Sequence, residues 1–164
     1  VEYFKYIEKN IDYLIISVGG GGLISGVSSY VKQIFPNTKI IGVEPIGAKG
    51  LTDSLKLNKP LENVNVNSIA DSLSAPLHMP YSFDIAKHFI DEMITVTDEQ
   101  MIEFMIFAYN NLQLLLEPAC VAGMAAIKYK LKNKLKNKNT LLILCGSNID
   151  IKSWKLLTGL DRVV

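Results

Sequence analysis

The stretch Tyr13-Leu-Ile-Ile-Ser-Val-Gly-Gly-Gly-Gly-Leu-Ile-Ser-Gly-Val-Ser-Ser-Tyr-Val-Lys-Gln-Ile34 decides how the chain is read. Its first part, Tyr13 to Val18, is a short apolar run of the kind expected for a strand covered on both faces. Four glycines follow, Gly19 to Gly22. From Leu23 the apolar residues fall at 23, 27, 30, 31 and 34, which is helical spacing, and Pro36 stops the run. Lys39-Ile-Ile-Gly-Val43 reads as a second strand. Strand, helix and strand at this length make a βαβ unit, so the two strands are expected to be parallel neighbours joined by a right-handed crossover.

Outward from this unit the pattern continues. A helix is expected over residues 47–57, a loop over 59–67, and no clear period over 68–76. Tyr81 to Ile90 reads as a helix entered after Pro80, and Met93 to Val96 as a third strand. Thr97-Asp-Glu-Gln100 fits a capping box, with acidic residues suited to the helix dipole. That helix is expected to run to about Leu116, where Glu117-Pro118 breaks it. A small-residue helix from Ala119 to Lys132, a fourth strand from Thr140 to Leu144 and a last helix after Cys145-Gly-Ser-Asn148 complete the reading. The first ten residues, VEYFKYIEKN, are amphipathic and helix-like, and the chain starts at Val1 without a methionine, so it reads as a piece of something longer. With no repeat and no linker, the expectation is a single α/β domain over 1–164, built on an open, mainly parallel sheet with helices on both faces.

Composition narrows the functional classes. The chain has 164 residues, 49% hydrophobic and 20% charged, enough for one domain with a real core. A net charge of +1 gives no electrostatic reason to expect nucleic acid or an anionic membrane as partner. The lysine run from Lys128 to Lys138 reads as a solvated helix end and loop. Cys120 and Cys145 form neither a disulfide framework nor a metal-ligand spacing, which makes a reducing cytoplasm the default. No apolar stretch approaches the roughly 20 residues of a membrane span, and no signal peptide is expected. His78 and His88 have no metal-ligand spacing and read as ordinary loop and helix residues.

A strand that delivers four glycines to a helix start has a physical use. Backbone N–H groups converge on an anion when no side chain obstructs them, and the helix adds its unpaired amides and dipole. Gly19 to Gly22 is therefore expected to cradle a phosphate. The G-x-G-x-x-G nucleotide fingerprint fails here, because Ser25 stands where Gly20 and Gly22 require a glycine. A looser match ends at Gly26, and Glu44 closes the second strand near where a ribose-binding acid belongs. On the loop alone, a nucleotide-binding Rossmann-like module and a pyridoxal 5′-phosphate (PLP) site both stay open.

Four further segments bear on the choice. Ile41-Gly-Val-Glu-Pro45, Ser68-Ile-Ala-Asp-Ser-Leu73, Leu116-Glu-Pro-Ala-Cys-Val-Ala-Gly-Met-Ala-Ala126 and Leu144-Cys-Gly-Ser-Asn-Ile-Asp150 follow Val18 to Gly26 in order and cover nearly the whole chain. Together they resemble the carboxy-terminal half, the large-domain portion, of a fold type II PLP enzyme of the tryptophan-synthase-like family, in its threonine/serine dehydratase branch. The resemblance implies that Gly19, Gly20, Gly21 and Gly22, with the Leu23 amide, hold the cofactor phosphate. It implies that Cys145 faces the pyridine nitrogen, where relatives carry Ser or Cys. Glu117 would lie near the cofactor as a candidate catalytic group, and Ala70 to Ser72 would line the ring, although Ser72 replaces the frequent glycine. Some relatives bind a cation through positions matching Glu44, Ala48 and Gly50; the carboxylate of the last is absent here, so divalent affinity is expected to be reduced or lost.

The family's Schiff-base lysine, in an S/N-x-K-x-R-G-like segment, has no counterpart among these residues, nor does its substrate-carboxylate loop. The isolated chain is therefore expected to be inactive. The chain ends soon after the final strand, so neither a carboxy-terminal regulatory domain of the kind seen in biosynthetic threonine dehydratases nor feedback by isoleucine is expected. For the parent protein it implies α,β-elimination of L-threonine or L-serine to a 2-oxo acid and ammonia, in a homodimer or homotetramer. Serine or related amino-acid racemisation is the alternative reaction.

Overall fold

The computed structural model describes residues 10–160; the expected amino-terminal helix falls largely outside the described residues. Four strands, β1 (Tyr13–Ser17), β2 (Lys39–Pro45), β3 (Glu92–Val96) and β4 (Thr140–Leu142), pair in the order β3-β2-β1-β4, and every pairing is parallel. β1 lies in the middle, with Ile15 opposite Ile41 on one side and Leu142 on the other.

Helices cover both faces, as the apolar character of β1 and β2 requires. On one face, Leu14, Ile16, Val18 and Ile40 pack with α1 (Gly22–Ile34), α2 (Gly50–Leu57) and α3 (Pro80–Phe89), through Ile24, Val31, Leu51, Phe83 and Ala86. On the other, Ile15, Ile41 and Val43 pack with α4 (Asp98–Leu112), α5 (Pro118–Ala126) and α6 (Ile151–Thr158). All nine residues of α5 are buried. Its small side chains permit close approach to the sheet: a Cβ on Gly123 would stand 3.3 Å from the Ile15 side chain and 2.5 Å from that of Leu142. α5 then continues as one π turn, Ile127–Leu131.

Several boundaries differ from the sequence reading. α4 starts with the expected capping box, in which Thr97 and Gln100 exchange bonds of 3.2 and 3.0 Å. It stops at Leu112 rather than near Leu116, because Gln113 takes a left-handed conformation at φ 58° and carries the chain out as an extended segment. β4 ends at Leu142, and α6 begins only at Ile151, where the Asp150 carboxylate accepts from the Lys152 and Ser153 amides. In the lysine run, Lys128 pairs with Glu103 and Lys134 with Glu92 at the surface. Among the described residues no helix is long and apolar enough to cross a membrane.

Candidate active site

The site grows from the carboxyl end of β1. The last ladder bond runs from the Val18 amide to the Val43 carbonyl at 2.7 Å, and Gly19 to Gly21 then turn the chain into α1. Gly21 occupies the N-cap position at φ 87°, a left-handed conformation that glycine adopts at least cost. Its carbonyl takes the first helical bond, from the Ser25 amide at 3.0 Å. No side chain caps α1 and no acidic residue stands in its first turn, so the first amides and the positive dipole end are left undischarged.

A cavity of about 240 Å³ opens there, lined by Ser17 through Ile24, Ser72, Leu73, Glu117, Ala119 and Cys145. β1 supplies the glycine loop, the segment after β4 supplies Cys145, and the start of α5 supplies Glu117. The chain leaves β1 toward β2 on one side, while β4 lies on the other. A cavity beyond the carboxyl ends of β1 and β4 thus sits where connections diverge, the usual place for a ligand in an open α/β sheet.

The four glycines differ in what the folded chain asks of them. A Cβ on Gly19 would lie 2.9 Å from the Ser72 carbonyl oxygen and 3.0 Å from Leu73 Cα, so close backbone approach requires glycine. A Cβ on Gly22 would meet no heavy atom within 4 Å, and one on Gly20 only the Ala75 methyl at 3.7 Å. Nothing in the chain itself needs Gly22 to be bare. The Ser17 hydroxyl, at the same cavity, is buried without a hydrogen-bond partner.

Cys145 is exposed at the cavity, and the partial burial of its thiol, then the nearby Glu117 carboxylate, push its pKa up. Cys120, buried behind it on α5, is pushed up to about 11, first by burial and then by the charges of Cys145 and Glu117. Glu117 is 7% exposed. It holds the N-cap position of α5 but its side chain caps no amide, and the backbone joins it to the next segment through the Gly146 carbonyl at 3.4 Å. A Cβ on Gly146 would overlap the Glu117 carboxylate, 2.9 Å from its Cδ, so that glycine makes room for the acid beside Cys145.

The glycine loop, Cys145 and Glu117 therefore share one cavity. Ser72 also lines it, whereas Ala70 turns into the apolar core and is fully buried, unlike the ring-lining place expected for it. Glu44, Ala48 and Gly50 lie apart from the cavity. Glu44 is 1% exposed; its carboxylate accepts from the Leu51 amide at 2.8 Å, the Thr52 amide at 2.9 Å and the Thr52 hydroxyl at 2.6 Å. Burial pushes its pKa up to about 7, against the pull of those donors. Among the described residues, no three His, Cys, Asp or Glu side chains are grouped to hold a metal ion.

Sequence reasoning passed over two residues here, Ser17 and Ser82, and read a third, His78, as an ordinary loop residue. His78 is not an ordinary loop residue: it is 3% exposed, with its Nδ1 buried and unpartnered. A Cβ on Gly50 would stand 2.7 Å from His78 Nε2, and one on Gly21 would stand 3.8 Å from Nδ1, so the ring fills the gap between the glycine loop and α2. His88 lies in the last turn of α3, edge-on to Phe89 at 4.7 Å.

Known proteins match this arrangement. A phenylserine dehydratase from Ralstonia pickettii is 37% identical over 150 residues, which is 92% of this chain and 46% of that protein. The processed form of threonine deaminase isoform 2 from Solanum lycopersicum superposes at a TM-score of 0.88 with 35% identity, covering 99% of this chain and 47% of that one. Serine racemase from Dictyostelium discoideum superposes at 0.81 with 30% identity, covering 92% of this chain and 48% of its own. The chain thus spans about half the length of these relatives. The family model for pyridoxal-phosphate dependent enzymes matches residues 2–146, and the chain belongs to that family.

Proposed function

We propose that the chain supplies the phosphate and ring-nitrogen contacts of a PLP-dependent ammonia-lyase that eliminates water from L-threonine or L-serine. The observation that carries this reading is the convergence of Gly19 to Gly22, Cys145 and Glu117 on one cavity, in a chain whose relatives include a phenylserine dehydratase and a threonine deaminase. The bare Gly22 and the orphaned Ser17 hydroxyl fit an absent phosphate-bearing ligand, and family membership favours PLP over the nucleotide that the loop alone left open.

The amides of Gly19 to Leu23 would hold the phosphate dianion, aided by the positive end of α1. The Cys145 thiol would be the neutral group held toward the ring nitrogen. Unlike a carboxylate, it does not hold a proton there. The bound cofactor supplies an electron sink for charge that develops at the substrate Cα. A neutral thiol at that position would leave the sink weak, which would favour prompt loss of a β-substituent. Glu117, the carboxyl group among the cavity-lining residues, would give a proton from its oxygen beside Gly146 to the departing hydroxyl, which then leaves as water. The lysine that carries the cofactor in this family comes from outside these 164 residues, so the isolated chain gives no turnover.

The test is release of 2-oxo acid and ammonia from L-threonine and L-serine by a protein that joins this chain to the lysine-bearing segment. Circular dichroism follows inversion of L-serine in the same sample. Elimination faster than inversion supports the reading. Inversion without elimination favours the racemase alternative, which the superposition on serine racemase supports. Turnover by the isolated chain refutes the placement of the lysine.

A further inference from the structure

The outer wall of the glycine loop is built by α3. Ser82, in the first turn of α3, is outside the set of cavity-lining residues, yet its hydroxyl shares its one proton between the Met79 carbonyl at 3.1 Å and the Gly20 carbonyl at 3.4 Å. Its own carbonyl accepts from the Ser25 hydroxyl of α1 at 2.9 Å. Ser25 is 4% exposed, so this bond clips α3 to the helix that follows the loop from within the packed interior. The bare Cα of Gly21 faces the same side chain: a Cβ there would stand 3.6 Å from both Cβ and Oγ of Ser82.

No peptide bond among the described residues is cis. In a trans peptide the carbonyl and the next amide point in opposite directions. A Gly20 carbonyl drawn toward Ser82 therefore turns the Gly21 amide away from Ser82. The loop needs such a restraint, because consecutive glycines otherwise sample many peptide orientations at little cost.

We propose that Ser82, held in place by Ser25, is a positioning residue for the glycine cup: by drawing the Gly20 carbonyl outward it presents the Gly21 amide to an incoming phosphate. The proposal rests on the phosphate-cradle reading above, and its ligand class is a phosphate monoester or inorganic phosphate. His78 supports the same wall from the α2 side, with Nδ1 facing Gly21.

The experiment compares the 164-residue chain with Ser82→Ala and Ser82→Thr, after thermal unfolding shows that all three fold. Two quantities are read separately. The direction of the Gly21 N–H bond without anion comes from residual dipolar couplings. Affinity for inorganic phosphate and for pyridoxamine 5′-phosphate comes from amide shifts of Gly20 to Gly22 during titration. Removing a hydrogen bond shared between two carbonyls is expected to weaken phosphate binding about two- to fivefold in Ser82→Ala and to alter the Gly21 N–H direction, while Ser82→Thr keeps both near wild type. A Gly21 direction and an affinity that Ser82→Ala leaves unchanged overturn the positioning role. A wild-type chain that binds neither probe, with the Gly21 direction still dependent on the Ser82 hydroxyl, overturns the cradle reading and leaves the positioning of the peptide standing.

Discussion

Replacing Gly22 by alanine is expected to move stability and binding in opposite directions. Gly22 is the first residue of α1, and an added Cβ meets no heavy atom within 4 Å. The folded chain has room for the methyl, and alanine loses less backbone entropy in a helix than glycine, by about 0.5–1 kcal/mol. For a domain of this size that raises the Tm by roughly 1–4 °C. Binding responds differently, because the methyl stands beside the cavity that Gly22 lines and keeps phosphate oxygens off the amides of Gly22 and Leu23. Two hydrogen bonds to a charged group are worth about 3 kcal/mol or more together, so the Kd rises on the order of a hundredfold. Gly19→Ala is the contrast: its Cβ would press on backbone atoms at 2.9 and 3.0 Å, and the strain is expected to destabilise the chain by about 1–3 kcal/mol. Scanning calorimetry gives the Tm values, and titration calorimetry with pyridoxamine 5′-phosphate gives affinities without reaction at surface lysines. A Gly22→Ala chain that melts lower than wild type, or binds as tightly, refutes the reasoning.

Other consequences are open to equally direct measurement. Ser17→Ala removes a buried hydroxyl that has no partner, so the free chain is expected to be as stable as wild type or more stable by about 1 kcal/mol in urea unfolding; a loss of that size shows that the hydroxyl is bonded. Burial lowers the pKa of His78 below 6.5, so the unfolded chain binds more protons just below that value and stability falls as pH drops through it. The Tm of His78→Gln is therefore expected to depend less on pH between about 5 and 7 than that of wild type. Glu44 works the other way, because burial raises it from 4.5 to about 7 and its stability contribution falls as pH rises through that window, but it is common to both proteins and drops out of the difference. Parallel pH profiles exclude the His78 effect. Gly146→Ala forces the Glu117 carboxylate aside and is expected to cost about 1–2 kcal/mol and to shift the Cys145 signals in NMR spectra; unchanged spectra count against the packing of Glu117 on this turn.

Much of the fold was legible because the signals are local. Apolar runs at Tyr13 and Lys39, the glycines between them and the Thr97 capping box each declare an element within a few residues. The end of α4 was not: Leu114, Leu115 and Leu116 look like more helix, and only the left-handed turn at Gln113 reverses that. The shared cavity of the glycine loop and Cys145 joins the two ends of the sequence through β1 and β4, which no periodicity reveals; ordered resemblance to a family suggested it. The burial of His78 was not legible, because the groups that enclose it, Gly21 and Gly50, belong to distant segments. Ser82 escaped for the same reason, since its partners Ser25 and Gly20 are remote in sequence.

The central claim is best tested by a crystal structure of the chain with pyridoxamine 5′-phosphate. The account predicts phosphate density on the amides of Gly19 to Leu23, with the ring nitrogen within hydrogen-bonding reach of Cys145 Sγ. Phosphate density at the surface lysines between Lys128 and Lys138, with the glycine cup filled only by solvent, contradicts it.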